Sequence, residues 1–202
     1  MLAFASGALI TAVAFELFED AFEHGGAWRA GVAFFAGAAV FVVAAEAIDR
    51  RKQGRHAKGA AVGLTILAAV TLDGLPENLP MGVGLVESSS ATLLVAIFAS
   101  NLPEAIVGAE KMREYGQSRR RILATWSLTA VLLAAAVIVG YAVLDDVDGE
   151  TLVWPLGFAA GAVLASLADT LMPEAYEEAR EDKRIAFATA LGFLLSFLIS
   201  SA

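Results

Sequence analysis

The sequence predicts an all-α, polytopic membrane protein, and three observations carry that reading. Of its 202 residues, 58% are apolar and 18% charged, with a mean hydropathy of +0.68. A soluble domain is about 45–50% apolar and about 25% charged. The apolar residues fall into seven stretches, most of them close to the roughly 20 residues that cross a bilayer core as a helix. The polar loops between them alternate in charge.

The predicted spans are residues 2–22, 30–48, 60–86, 91–110, 122–144, 152–176 and 185–201, forming one transmembrane domain over 1–202. The first lacks a basic n-region and a polar cleavage segment before Glu16, so it reads as a helix and not as a signal peptide. After the second span come Arg50, Arg51, Lys52, Arg55 and Lys58; after the fourth, Lys111, Arg113, Arg119, Arg120 and Arg121; after the sixth, Arg180, Lys183 and Arg184. The remaining loops hold Glu23, His24 and Arg29, then Glu87 and Ser88 to Ser90, then Asp145, Asp146, Asp148 and Glu150. Of 14 Lys and Arg residues only Arg29 lies on that second side. Basic short loops stay in the cytoplasm. The chain is therefore expected in the cell membrane as a multi-pass protein, with its N-terminus inside and its C-terminus outside.

Composition also excludes. There is no cysteine, so disulfides, thiolate metal sites and cysteine nucleophiles are absent. A net charge of −8 and a pI near 4.7 argue against nucleic acid as a partner. No His-Glu-x-x-His spacing or activated nucleophile is present, so an intramembrane hydrolase is disfavoured and no enzyme activity is expected.

Two repeats run through the chain. Phe4-Ala5-Ser6-Gly7-Ala8, followed by Leu17 and Ala21, recurs as Phe158-Ala159-Ala160-Gly161-Ala162, followed by Leu171 and Ala175. The first span runs outward and the sixth inward, so these copies are expected to be inverted repeats, a construction frequent in secondary transporters. The second repeat sets Asp73-Gly74-Leu75-Pro76-Glu77-Asn78 on the third span against Ser100-Asn101-Leu102-Pro103-Glu104-Ala105 on the fourth.

The second repeat carries the chemistry. A carboxylate at a span's centre costs roughly 3 kcal/mol on insertion scales, and Asp73, Glu77 and Glu104 all sit well inside theirs. Asp73 and Glu77 are four apart, hence on one helix face. Pro76 and Pro103 remove a backbone donor and free the carbonyls of Leu72 and Ala99; Pro80 frees that of Pro76. Carboxylates, the amides of Asn78 and Asn101, the Ser100 hydroxyl and free carbonyls make an oxygen-rich midplane cluster suited to a cation.

These paired motifs resemble the His-Asn-x-Pro-Glu-Gly motifs on the fourth and fifth helices of the ZIP (Zrt/Irt-like) divalent-metal transporters. Gly157 to Leu164 with Asp169-Thr-Leu-Met-Pro173-Glu174-Ala175 is similar to that family's seventh helix, and Phe4 to Ala21 to its second. The resemblance implies import of a divalent ion toward the cytoplasm, with metal-site roles for Asp73, Glu77, Ser100, Asn101 and Glu104 and a supporting role for Asn78. It also implies two departures. Both motif histidines are replaced, by Asp73 and Ser100. The sixth-helix Glu-Pro pair that would complete a second metal position has only hydroxyls in its place, along Trp126 to Leu132. Oxygen ligands favour Mg²⁺, Ca²⁺ or Mn²⁺ over Zn²⁺, while Zn²⁺ also accepts Asp and Glu; the resemblance implies an ion of Zn, Mn or Fe class, with the balance toward Mn²⁺ or Fe²⁺.

Glu16, Glu19 and Asp20 near the outer end of the first span, with Asp169, Glu174 and Glu46 near inner ends, would extend a row of acids through the membrane. His24 and His56 read as solvated loop residues. A ZIP-like binding or sensing protein without flux is the alternative function. The expected partners are the divalent ion, the lipid bilayer and, as a homodimer, a second copy of the chain. ZIP proteins have eight helices, and the fifth span here lacks an inverted partner. Met1 is therefore expected to be an internal start, and the alternative is a seven-helix chain completed by a partner subunit.

Overall fold

The computed structural model describes residues 1–53, 67–68, 70–72, 74–79, 81, 90–144, 146–178 and 183–200, the side chains of 51–53, 90–93, 100 and 178 excepted. Its regular elements are all helical, with no strand among the described residues. Helix α1, Leu2–Ala12, passes through a π-helical segment, Val13–Phe18, into α2, Glu19–Gln53. The described part of 67–81 is helical and carries the first motif; it is called the motif helix below. Then follow α3, Ser90–Glu114; α4, Arg119–Leu144; α5, Gly149–Ser166, with a second π-helical segment, Leu167–Leu171, leading to α6, Met172–Glu178; and α7, Arg184–Ser200.

Among the described residues three helical stretches are long and apolar enough to cross a membrane: Leu2–Arg50, Arg119–Leu144 and Gly149–Glu177; Arg184–Ser200 is apolar but shorter. The first is 49 residues long, far more than the roughly 20 a bilayer needs. It is broken at Gly26, whose φ of 72° and ψ of 170° are not helical. Glycine reaches that region without a Cβ penalty. The loop expected between residues 22 and 30 is thus compressed to one residue. Elsewhere the helices overrun the expected spans by up to four residues, because polar ends such as Arg119 to Arg121 and Lys111 to Glu114 stay helical. Asp148 caps α5, its carboxylate accepting from the Thr151 amide at 2.9 Å.

Small residues decide which helices touch. Without a hydrophobic drive inside lipid, helices associate where glycine and alanine let backbones approach. A Cβ at Gly7 would meet the Thr189 carbonyl and one at Gly192 the Phe4 carbonyl, locking α1 to α7. In the same way Gly161 abuts the Phe34 carbonyl and Gly37 that of Phe158, locking α2 to α5. Thr11 Oγ1 donates to the Phe193 carbonyl at 3.0 Å, and Ser196 Oγ to that of Ala8 at 3.3 Å. Between the two pairs lies the core, Ala5, Leu9, Ala12, Val13 and Leu17 against Val153, Leu156, Ala160 and Val163, joined by Ala96 and Ile97 of α3.

Candidate functional site

The two motifs lie on the motif helix and on α3. On α3 the exposed face is Leu94, Phe98, Leu102 and Ile106, spaced by four, while Glu104 is half-buried on the side where Ala96 and Ile97 join the core and Asn101 is half-buried at the edge of the exposed face. On the motif helix Glu77 is 6% and Asn78 5% exposed. Asn78 Nδ2 donates to the Gly74 carbonyl at 2.8 Å, which fixes the amide on its own helix. Asp73 lies outside the described residues, as does the Ser100 side chain.

The depth of these groups follows from helix register. The α3–α4 hairpin turns at Gly116, with φ 75°, where the Gly116 amide donates to the Arg113 carbonyl and that of Gln117 to the Met112 carbonyl. A left-handed glycine that ends a helix in this way reverses the chain sharply. Across the hairpin Gly108 faces Trp126, which sets Glu104 level with position 130 and Asn101 with Leu133. The motif helix runs parallel to α4, since Gly74 faces Leu133 and Leu79 approaches Gly140. Asn101 and Gly74 therefore share a level, and Glu77 stands about 10 Å along the axis from Glu104 at 1.5 Å per residue. The polar groups form a ladder across the middle of the helices. Among the described residues, which leave out Asp73, no three of His, Asp or Glu come close enough together to hold a metal ion.

Thr71 adds a group that the sequence reading passed over. Its Oγ1 is buried without a hydrogen-bond partner, as is Trp126 Nε1. By the same register Thr71 lies at the level of Glu104. One threonine in an apolar run carries no distinguishing signal, so only the packing singles it out.

The acids toward the helix ends have assorted partners. Ser200 Oγ donates to Glu16 Oε1 at 2.5 Å. Lys111 of α3 forms an ion pair with Glu174 of α6. Glu46 pairs with Arg50 one turn on, at 2.6 Å, and Arg29 with Glu150 at 3.1 Å. Asp169 is exposed. His24 is half-buried, contrary to its reading as a solvated residue: its Nδ1 lies 2.7 Å from the Asp20 carbonyl and its ring covers Gly149, because the bend at Gly26 brings it onto the start of α5. His56 lies outside the described residues.

The opposite face of the motif helix is apolar. Leu72, Leu75, Pro76 and Leu79 line a cavity of about 380 Å³ shared with α2, α4 and α5. At 100° per residue Glu77 lies about 150° round the helix from the centre of that face. Compared with protein-family models, with curated proteins and with solved structures, the chain matches none.

Proposed function

We propose that this chain is a divalent-cation transporter of the ZIP type, moving Zn-, Mn- or Fe-class ions toward the cytoplasm. The observation that carries the reading is the burial of Glu77 and Asn78, 6% and 5% exposed, on a helix whose opposite face is apolar. Intramembrane carboxylates are costly and mark ion pathways. Asn101 and Glu104 are half-buried on α3, and Thr71 Oγ1 is buried without a hydrogen-bond partner. Oxygen ligands spread over a ladder favour stepwise passage of a hard or borderline cation over one closed cage.

The inverted-repeat reading has support from packing. Phe4 and Gly7 of one copy, and Phe158 and Gly161 of the other, each meet a helix through a reciprocal pair three residues apart, Thr189 with Gly192 and Phe34 with Gly37. The two π-helical segments begin at Val13 and Leu167, the same distance beyond Gly7 and Gly161. π-Bulges inside helices are frequent at functional sites. The orientation with basic loops in the cytoplasm, the cell-membrane location and the homodimer belong to the same proposal.

A reading as a metal-binding or sensing protein without flux is favoured by one contact, the Lys111–Glu174 ion pair, which neutralises an acid at the expected exit. Uptake into liposomes against a panel of divalent ions separates the two. Saturable, ion-selective uptake that is lost in Glu77→Gln and Glu104→Gln supports transport. Saturable binding with no flux supports the second reading, and uptake undiminished in both variants removes the carboxylates from the mechanism.

A further inference from the structure

We infer that the cavity behind the motif helix binds one acyl chain of a bilayer phospholipid, a role beyond ion transport and independent of it. All the residues that line the cavity are apolar. Its rim reaches the outer surface at Val40, Val139 and Val143, which are 54%, 51% and 62% exposed, while Phe41 and Leu156, 2% and 5% exposed, lie deep in its wall. The cleft thus opens sideways, between helices apolar enough to sit in hydrocarbon.

The occupant follows by elimination. Water needs two to four polar partners, and a space of this size would have to hold about a dozen molecules with none. An empty cleft forfeits dispersion contacts along all its walls. A helix of a second copy is about 10–12 Å thick and does not enter. An acyl chain is one carbon wide, asks for no polar partner and surrounds the protein at high concentration. Seated there, it contacts Leu72, Pro76 and Leu79, on the reverse of the face that bears Glu77, and so braces the motif helix from behind.

The test uses the full chain in phosphatidylcholine vesicles whose lipid carries a photoactivatable diazirine at mid-chain, with adducts mapped by peptide mass spectrometry. Adducts are expected on Phe41 and Leu156, as well as on the lipid-facing Leu194. The first two are lost in Ala159→Phe, which fills the cavity, and in Val139→Trp, which plugs its mouth from a half-exposed position that tolerates bulk where the core does not. Leu194 stays labelled in both. Parent protein without adducts on Phe41 and Leu156 would overturn the inference. So would adducts that persist in folded Val139→Trp, or labelling of the same two residues by a water-soluble diazirine.

Discussion

Helices α4 and α5 are both long and apolar enough to cross a membrane, yet they are used in opposite ways. Ten residues of α5, among them Val153, Gly157, Ala160, Gly161 and Val163, are buried, against three of α4, Thr129, Ala136 and Gly140. The distinction extends to their neighbours. The α1–α7 and α2–α5 pairs each meet backbone to backbone through two reciprocal glycines, whereas the motif helix and α4 do so through Gly140 alone, against the Leu79 carbonyl, and Gly74 and Gly108 face the side chains of Leu133 and Trp126. One part of the molecule is a closely meshed frame. The other, where the candidate polar groups and the apolar cavity lie, buries fewer residues of α4. The proposed ion path draws on this division, since polar groups must be shielded from hydrocarbon.

The largest effect expected is on the frame. Gly161→Ala drives a methyl into the Phe34 carbonyl, and backbone cannot give way as a side chain does, so the cost should exceed the about 1–3 kcal/mol of ordinary overpacking. Gly31→Ala, with open space around its new Cβ, should gain about 0.5–1 kcal/mol from helix propensity. Thermal unfolding in detergent should move the two in opposite directions; equal shifts would dissolve the contrast between frame and periphery.

Next comes the ladder. Glu77→Gln and Glu104→Gln should leave unfolding close to the parent while uptake falls by at least the roughly 10–100-fold that loss of even an outer ligand partner costs. A smaller change is expected from Asp73→His with Ser100→His, which supplies imidazole and should move the ion ranking toward Zn²⁺. An unaltered ranking would place neither position at the metal. Thr71→Val removes one oxygen at constant shape. It should raise the half-saturating ion concentration without lowering stability, since the lost hydroxyl has no hydrogen-bond partner to orphan.

The smallest effect belongs to the surface. Arg29→Ala breaks a pair whose side chains are 45% and 79% exposed, and such pairs contribute about 0–1 kcal/mol. Any loss should vanish in high salt, because exposed charges are screened. A salt-resistant loss would mean that the bend at Gly26 depends on this contact.

The candidate site was legible in the sequence. Carboxylates within apolar runs identify themselves by their cost, which is how Glu77 and Glu104 stood out before any fold was known. The spans 122–144, 152–176 and 185–201 were readable to within a few residues, because a helix in hydrocarbon must satisfy its own backbone and run to the polar edge. Partnerships were less legible. That Lys111 meets Glu174, or that His24 covers Gly149, depends on chain reversals far from either residue.

The sequence by itself determined the hydropathy of each segment, the alternation of loop charge and the acids set within apolar runs, since hydropathy and ionisation are local properties. The tertiary structure alone decided which apolar face meets protein and which meets lipid. Both surroundings are equally apolar, so Phe98 and Ile97 are indistinguishable by composition although one is 64% exposed and the other 4%. What separates them is shape. Glycines at 7 and 192, and at 37 and 161, complement carbonyls at distant places in the chain, and a match between remote surfaces becomes visible only when they are brought together.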